Sequence, residues 1–249
     1  MEKTLIIGAG EIGKSLGQVL SQVYDVCYED INKQVSSHLS RNVFEQFQLT
    51  EKDYSIIHIC YPYNKNFITS VKEYRKKYNP DVVIIHSTVP VGTTRKLGKG
   101  FVHSPVVGKH PHLAKSMLTF KKFIGSLNGQ DARDAQLFLQ KAGIKVHHFS
   151  SPEATEFAKI MCTTQYGWSI IIMKEIERLC EQYGVPFLEV YQTWNEHYNE
   201  GYQALGDGHF TRPILSPMRG KIGGHCVIPN CKLLDSYITK IIQEKNEQF

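Results

Sequence analysis

No run of 18 apolar residues occurs in the chain, so nothing in it is built to span a membrane as a helix. There is no C-x-x-C pair. The six cysteines, at 27, 60, 162, 180, 226 and 231, are scattered and fall mostly in apolar runs. That usage excludes a disulfide framework and a standard zinc pattern, and it predicts free thiols in a reduced, cytoplasmic protein. Neither sign of charge dominates. Lys plus Arg is 29, Asp plus Glu is 24, and the net +5 is spread along the chain. That is too weak a field for a nucleic-acid binder, though it can help to hold an anion. No internal repeat and no low-complexity tract is present. The first residues enter a strand pattern at once, which leaves no room for a secretory signal. What remains is 249 residues of ordinary globular composition, enough for one large domain or one and a half.

The most informative stretch is Thr4-Leu5-Ile6-Ile7-Gly8-Ala9-Gly10-Glu11-Ile12-Gly13. Apolar residues suited to a buried strand run into G-x-G-x-x-G, and a helical pattern follows from Glu11 to Val23. Gly8 suits the tight turn, Gly10 the close approach of a pyrophosphate, and Gly13 the packing of helix on strand. The helix N-terminus, at Glu11, Ile12 and Gly13, offers N–H groups and a positive dipole end. A second strand, Tyr24 to Tyr28, ends in Glu29-Asp30. Asp30 stands where a carboxylate takes ribose hydroxyls, and its charge favours NAD over NADP. The plainer alternative is a glycine turn in another α/β protein.

The next residues continue the alternation. A polar helix is expected over 32–39, a strand over Asp53–Cys60, and a helix over Lys65–Tyr78 stopped by Asn79-Pro80. Asp81–His86 is a strand apolar on both faces, as in a covered parallel sheet. Ser87-Thr88-Val89-Pro90-Val91-Gly92-Thr93-Thr94 leads into a short helix. Short strands follow at Phe101–His103, Phe123–Gly125 and Lys145–Phe149, with a helix over Asp131–Ala142. The pattern predicts an α/β fold, a Rossmann-type doubly wound and mostly parallel sheet, over residues 1–150. Tyr61, Pro62, Thr88 and Ser104 follow strand ends and should face the ligand crevice.

From Ser151-Pro152 a helical pattern runs to about Tyr183, too long for a crossover helix. Its centre is apolar nearly all round, so residues 151–249 are expected to form a helical dimerisation and substrate region, pairing as a homodimer through the 151–184 helix. A helix over Pro186–Asn199, a loop over Gly201–Pro217, a second glycine turn at Gly220–Cys226 and a closing helix over Cys231–Glu244 complete the chain.

Cys226, after Gly223-Gly224-His225, is the candidate nucleophile, since N–H groups of a tight turn can activate a thiol and hold an oxyanion; the alternative is a buried structural cysteine. Lys159 shares a helix face with Thr163. It is either a proton donor or oxyanion holder, or a solvated surface lysine. The segment His103 to His112, with Ser104, Lys109 and His110, reads as an anion-binding loop; its spacing matches no standard metal site.

These motifs resemble the UDP-glucose/GDP-mannose (nucleotide-sugar) 6-dehydrogenase family. The resemblance rests on Gly8–Gly13, Ser87–Thr93, the helix Glu156–Glu175 with Lys159, and Gly223-Gly224-His225-Cys226-Val227-Ile228-Pro229, in family order over nearly the whole chain. It implies an NAD-binding domain, a dimer-forming central helix, Thr88 beside the cofactor, Lys159 at the oxyanion and Cys226 attacking an aldehyde to give a thioester. The chain departs from the family where an asparagine becomes Thr163, where an aspartate becomes Asn230, and where a glutamate loop becomes Pro105–His110. The family's C-terminal nucleotide-sugar domain would follow where this chain stops. An amide cannot serve as the base that a carboxylate can. The residues therefore predict an NAD-dependent oxidoreductase, acting on an alcohol of a small anionic substrate in one two-electron step. Its expected catalytic residues are Lys159, Cys226, Thr163 and Asn230. Ser104, Lys109, His110, Gly223 and His225 are expected at the substrate, with no metal and no nucleic acid. The alternatives are the full four-electron enzyme and a non-catalytic dimeric dinucleotide-binding protein.

Overall fold

The structure, a computed structural model, describes residues 1–32 and 54–249. The expected helix over 32–39 and the expected strand's first residue, Asp53, lie outside the described residues, apart from Asn32. The chain divides into two compact units, Met1–Lys159 and Ile160–Phe249.

The first unit is a layered α/β structure. Its strands are β1 (Lys3–Ile7), β2 (Asp25–Glu29), β3 (Ile56–Ile59), β4 (Val82–Ile85), β5 (Phe101–His103), β6 (Lys122–Ser126) and β7 (Val146–His148). They form one sheet in the order β2-β1-β3-β4-β5-β6-β7. Pairs are parallel throughout except β5 with β6, which run antiparallel through Val102↔Ser126 and His103↔Gly125. The strands are near-continuous apolar runs because both faces are covered. One face packs Ile6, Ile84 and Val102 against α1 (Glu11–Leu20), α4 (Leu113–Thr119) and α5 (Gly129–Lys141). The other packs Leu5, Ile57 and Ile85 against α2 (Phe67–Tyr78) and α3 (Thr93–Leu97). The helix α4 has no counterpart in the sequence reading. Its signal is short, Leu113 and Met117 one turn apart, both buried.

Helix α6 spans Pro152–Tyr183, 32 residues. Ser151 caps it, its Oγ accepting the Ala154 N–H at 3.2 Å. The second unit holds most of α6, a π-helical segment (Leu188–Thr193), α7 (Trp194–Ala204), α8 (Val227–Cys231) and α9 (Tyr237–Asn246). Its core joins Ile170, Ile171 and Met173 of α6 to Tyr191, Ile222, Val227, Cys231 and Ile242. Two expectations need correction here. The helix after Pro186 continues through Gly201 to Ala204, so the loop begins later. The closing helix is two helices, because Ser236 starts a new one: its Oγ accepts the Thr239 N–H in a capping box.

Candidate functional site

The parallel strands β1 to β5 end on one edge, and most of the expected cofactor residues gather there. Gly8 has φ +99°, and a β-carbon on it would sit 2.9 Å from the Tyr61 nitrogen. One on Gly13 would sit 2.0 Å from the Gly8 carbonyl oxygen. These two glycines let the turn, β3's end and α1 nest together. Gly10 is different. It is exposed, and a β-carbon there would meet nothing within 4 Å. Open space on the outer side of a helix N-terminus is what a phosphate needs. Asp30 is bound into the same turn. Its Oδ2 accepts the Ala9 N–H at 2.7 Å, and its Oδ1 accepts the Asn32 N–H at 2.8 Å. Each carboxylate oxygen keeps a further lone pair for a ribose hydroxyl. The described residues of this turn therefore fit a dinucleotide.

The neighbouring strand ends are tied to this turn. The Ser87 hydroxyl donates to the Tyr61 carbonyl at 2.5 Å. Half-buried Thr88 follows it. The loop beyond is closed by Glu156, a residue the sequence reading left out. Its carboxylate accepts the Gly92 N–H (2.6 Å), the Thr94 N–H (2.8 Å) and the Thr94 hydroxyl (2.7 Å). Desolvation raises the Glu156 pKa, and these bonds oppose the shift. The only signal in the sequence is an acid three residues before Lys159.

Beneath the edge lies a polar cluster inside the apolar layer. His58 and His86 are buried and joined, Nδ1 to Nε2, at 2.9 Å. His103 links the Ser87 carbonyl (3.2 Å) to the Thr155 hydroxyl (2.8 Å). It is therefore a structural tie, not part of an exposed anion loop. Burial holds His58 and His103 down to about 3 and His86 well below the ordinary histidine value, so all three are neutral near pH 7. Lys122, also buried, donates to the Ser104 carbonyl at 2.8 Å and the Pro105 carbonyl at 3.1 Å. Ser104 itself is fully buried, and its hydroxyl has no partner. Lys109 and His110 are exposed on the loop that follows, and His110 pairs with Glu11 at the start of α1. Lys159 is half-buried, and its charge acts on both His103 and Lys122.

In the second unit the glycine-rich turn is braced from below. Lys174, buried on α6, donates to the Met218 and Gly220 carbonyls at 2.6 and 2.7 Å. Asn246 of α9 accepts the Ile222 N–H at 2.6 Å. Gly223 and His225 are exposed, and Cys226 is half-buried at the start of α8. Asn230 and Thr163 are buried together, the amide Nδ2 donating to the hydroxyl at 3.2 Å. The Thr163 hydroxyl in turn donates to the Ile160 carbonyl at 2.9 Å. Among the described residues, no group of three His, Cys, Asp or Glu side chains is placed to hold a metal ion. No described helix is long and apolar enough to cross a membrane.

No family model matches the chain. A UDP-N-acetyl-D-mannosamine dehydrogenase from Methanocaldococcus jannaschii is 23% identical over 272 residues, 91% of this chain and 60% of that protein. The chain is homologous to the nucleotide-sugar dehydrogenases. It spans about 60% of the length of the curated relatives it matches. Among solved structures, a UDP-D-ManNAc dehydrogenase from Pyrococcus horikoshii superposes with a TM-score of 0.78 at 22% identity, covering 99% of this chain and 68% of that one. A Mycobacterium tuberculosis 3-hydroxyisobutyrate dehydrogenase gives 0.74 at 15% identity, covering 100% and 94%. Both likenesses establish the Rossmann-like α/β fold of this chain, followed by its long helix.

Proposed function

We propose that the chain binds NAD along the C-terminal edge of its sheet and oxidises an alcohol of a small anionic substrate in one two-electron step. The observation that carries NAD is the turn itself. Gly8 and Gly13 are required by packing, Gly10 faces open space, and Asp30 is held beside them by the Ala9 N–H. The Asp30 charge repels a 2′-phosphate. When bound, the nicotinamide accepts a hydride. On this reading the substrate hydroxyl gives its proton to the neutral amine form of Lys159, a carbonyl product forms, and Lys109 and His110 supply positive charge or N–H donors to the anion.

The single step rests on Asn230 and Thr163. They bond to each other, and neither an amide nor a hydroxyl is a general base for water. At position 230, where the family resemblance implies an aspartate linked to hydrolysis of a Cys226 thioester, this chain carries an amide. The second unit also supports pairing through α6. Trp168, Ile172, Leu179 and Tyr183 line one stripe of the helix and are exposed in the single chain. A homodimer would cover them.

The test counts NADH formed per substrate consumed, with intact mass measured alongside, over phosphorylated alcohols, sugars and nucleotide sugars. One NADH and no adduct is the expected result. Two NADH with a Cys226 adduct would establish the four-electron route instead. NAD binding without any NADH would favour a non-catalytic role. Lys159→Met should abolish turnover and leave NAD affinity intact, and sedimentation should give twice the chain mass at micromolar concentration.

A further inference from the structure

Lys122 sits where the β5–β6 ladder ends. The two strands pair only at Val102↔Ser126 and His103↔Gly125. Pro105 lacks the N–H that a longer ladder needs. The Lys122 side chain takes over, donating to the Ser104 and Pro105 carbonyls at 2.8 and 3.1 Å. Those carbonyls open the loop 104–112, which then crosses to α1. The Lys109 N–H donates to Ser116 Oγ of α4 at 3.2 Å, and His110 pairs with Glu11 at the start of α1. One buried side chain thus holds the root of a loop whose tip touches the glycine-turn helix.

Among the described residues, Lys122 has no counter-charge beside it. The ionisable groups facing Lys122 are His58 and Cys60 from β3, His86 beyond β4, His103 of β5 and Lys159 of α6. The histidines stay neutral, Lys159 repels, and burial pushes the Cys60 thiol up to about 12. Burial brings Lys122 down to about 7. The hydrogen-bond count agrees. A neutral amine has two N–H groups for two carbonyls, whereas an ammonium brings a third with no acceptor placed for it among the described residues.

We propose that Lys122 is a positioning residue: its neutral amine clamps the Ser104 and Pro105 carbonyls and so sets the 104–112 loop against the glycine-turn helix, and protonation loosens that clamp. The inference rests on the reading of this edge as the NAD site. It predicts that NAD binds more tightly above neutrality than below.

The test measures NAD affinity by titration calorimetry at pH 6 and pH 8, and hydrogen exchange of amides 106–110 without NAD, corrected for the intrinsic rate at each pH. In the wild type, affinity should drop about tenfold at pH 6, the effect of one pKa unit of linkage. Loop protection should drop with it. Lys122→Met should be weak and unprotected at both pH values. Lys122→Gln, whose neutral amide keeps two N–H donors, should be tight and protected at both. If the methionine variant fails to fold, the glutamine variant decides alone. A pH dependence that survives either substitution overturns the clamp. Absence of NAD binding at every pH would sink the NAD reading, while the exchange data still judge the clamp.

Discussion

In the Gly8–Gly13 turn, a β-carbon at Gly8 or Gly13 would collide with backbone at 2.9 or 2.0 Å. In the Gly220–Gly224 turn, a β-carbon at Gly220, Gly223 or Gly224 would meet nothing within 4 Å. Gly220 and Gly224 have positive φ, so their backbone explains them. Gly223 has neither a clash nor a positive φ. In the first turn it is Gly10 that shares this property. The comparison separates glycines that the fold requires from glycines that it merely permits. Only the second kind points to something arriving from outside.

The sharpest way to break that comparison is Gly13→Val. The added carbons have no free volume and must move the Gly8 carbonyl, so the first unit should lose at least about 3 kcal/mol in a urea titration. NAD binding should vanish with it. A variant that stayed fully stable would show that the turn is looser than its contacts imply.

Acid should separate the two units next. His58, His86 and His103 are buried and neutral in the first unit. The described histidines of the second unit, His197, His209 and His225, are exposed. The unfolded chain takes up protons near pH 6.5, but the folded His58 and His103 do so only near 3. Their contribution is full above about pH 6.5 and is lost progressively as pH falls toward 3. The first unit should therefore unfold at a higher pH than the second. Both tryptophans, Trp168 and Trp194, lie in the second unit, so their fluorescence should outlast the sheet's circular dichroism on acid titration. Coincident transitions would rule the difference out.

These histidines also mark how far the sequence could be read. The strand runs and the first glycine turn were legible because buried parallel strands are apolar on both faces and phosphate turns need glycine at fixed places. Asp30 was legible for the same reason, a fixed distance from that turn. Glu156, Lys122 and the His58–His86 pair were not. Each is a polar residue whose partner lies far off in the chain, as Glu156 lies 62 residues from Thr94. No local pattern records such a pairing. His103 is grouped with an anion-binding loop in sequence because it shares one polar segment with Ser104, Lys109, His110 and His112. Its own position on a buried strand decided otherwise. The break before α9 was missed because Ser236 interrupts a pattern that is apolar on both sides.

A smaller effect probes how the second turn is held. Lys174→Met removes two hydrogen bonds and leaves the Met218 and Gly220 carbonyls without their donor. The second unit should lose about 2 kcal/mol, the scale of two lost hydrogen bonds at about 1 kcal/mol each. Chemical unfolding followed by tryptophan fluorescence reads this directly. The change should leave NAD affinity untouched, since Lys174 lies outside the unit that carries the Gly8–Gly13 turn. If it weakened NAD binding instead, the two turns would be coupled and could not be treated as separate devices.

The smallest structural effect is expected at Gly223. A methyl group there enters open space on ordinary backbone, so Gly223→Ala should change stability by no more than about 0.5 kcal/mol. That near-silence is what makes it useful. If the exposed turn before Cys226 is where a substrate closes on the backbone, the same methyl group blocks the approach and turnover falls while unfolding is unchanged. Gly10→Ala is its counterpart in the first unit and should weaken NAD binding with similar silence in the urea curve. If both variants keep wild-type affinity and turnover, open space beside a glycine carries no information about ligands in this fold, and the distinction between required and permitted glycines fails. If only Gly10→Ala has an effect, the first turn binds its cofactor as argued and the second turn is a structural entry into α8.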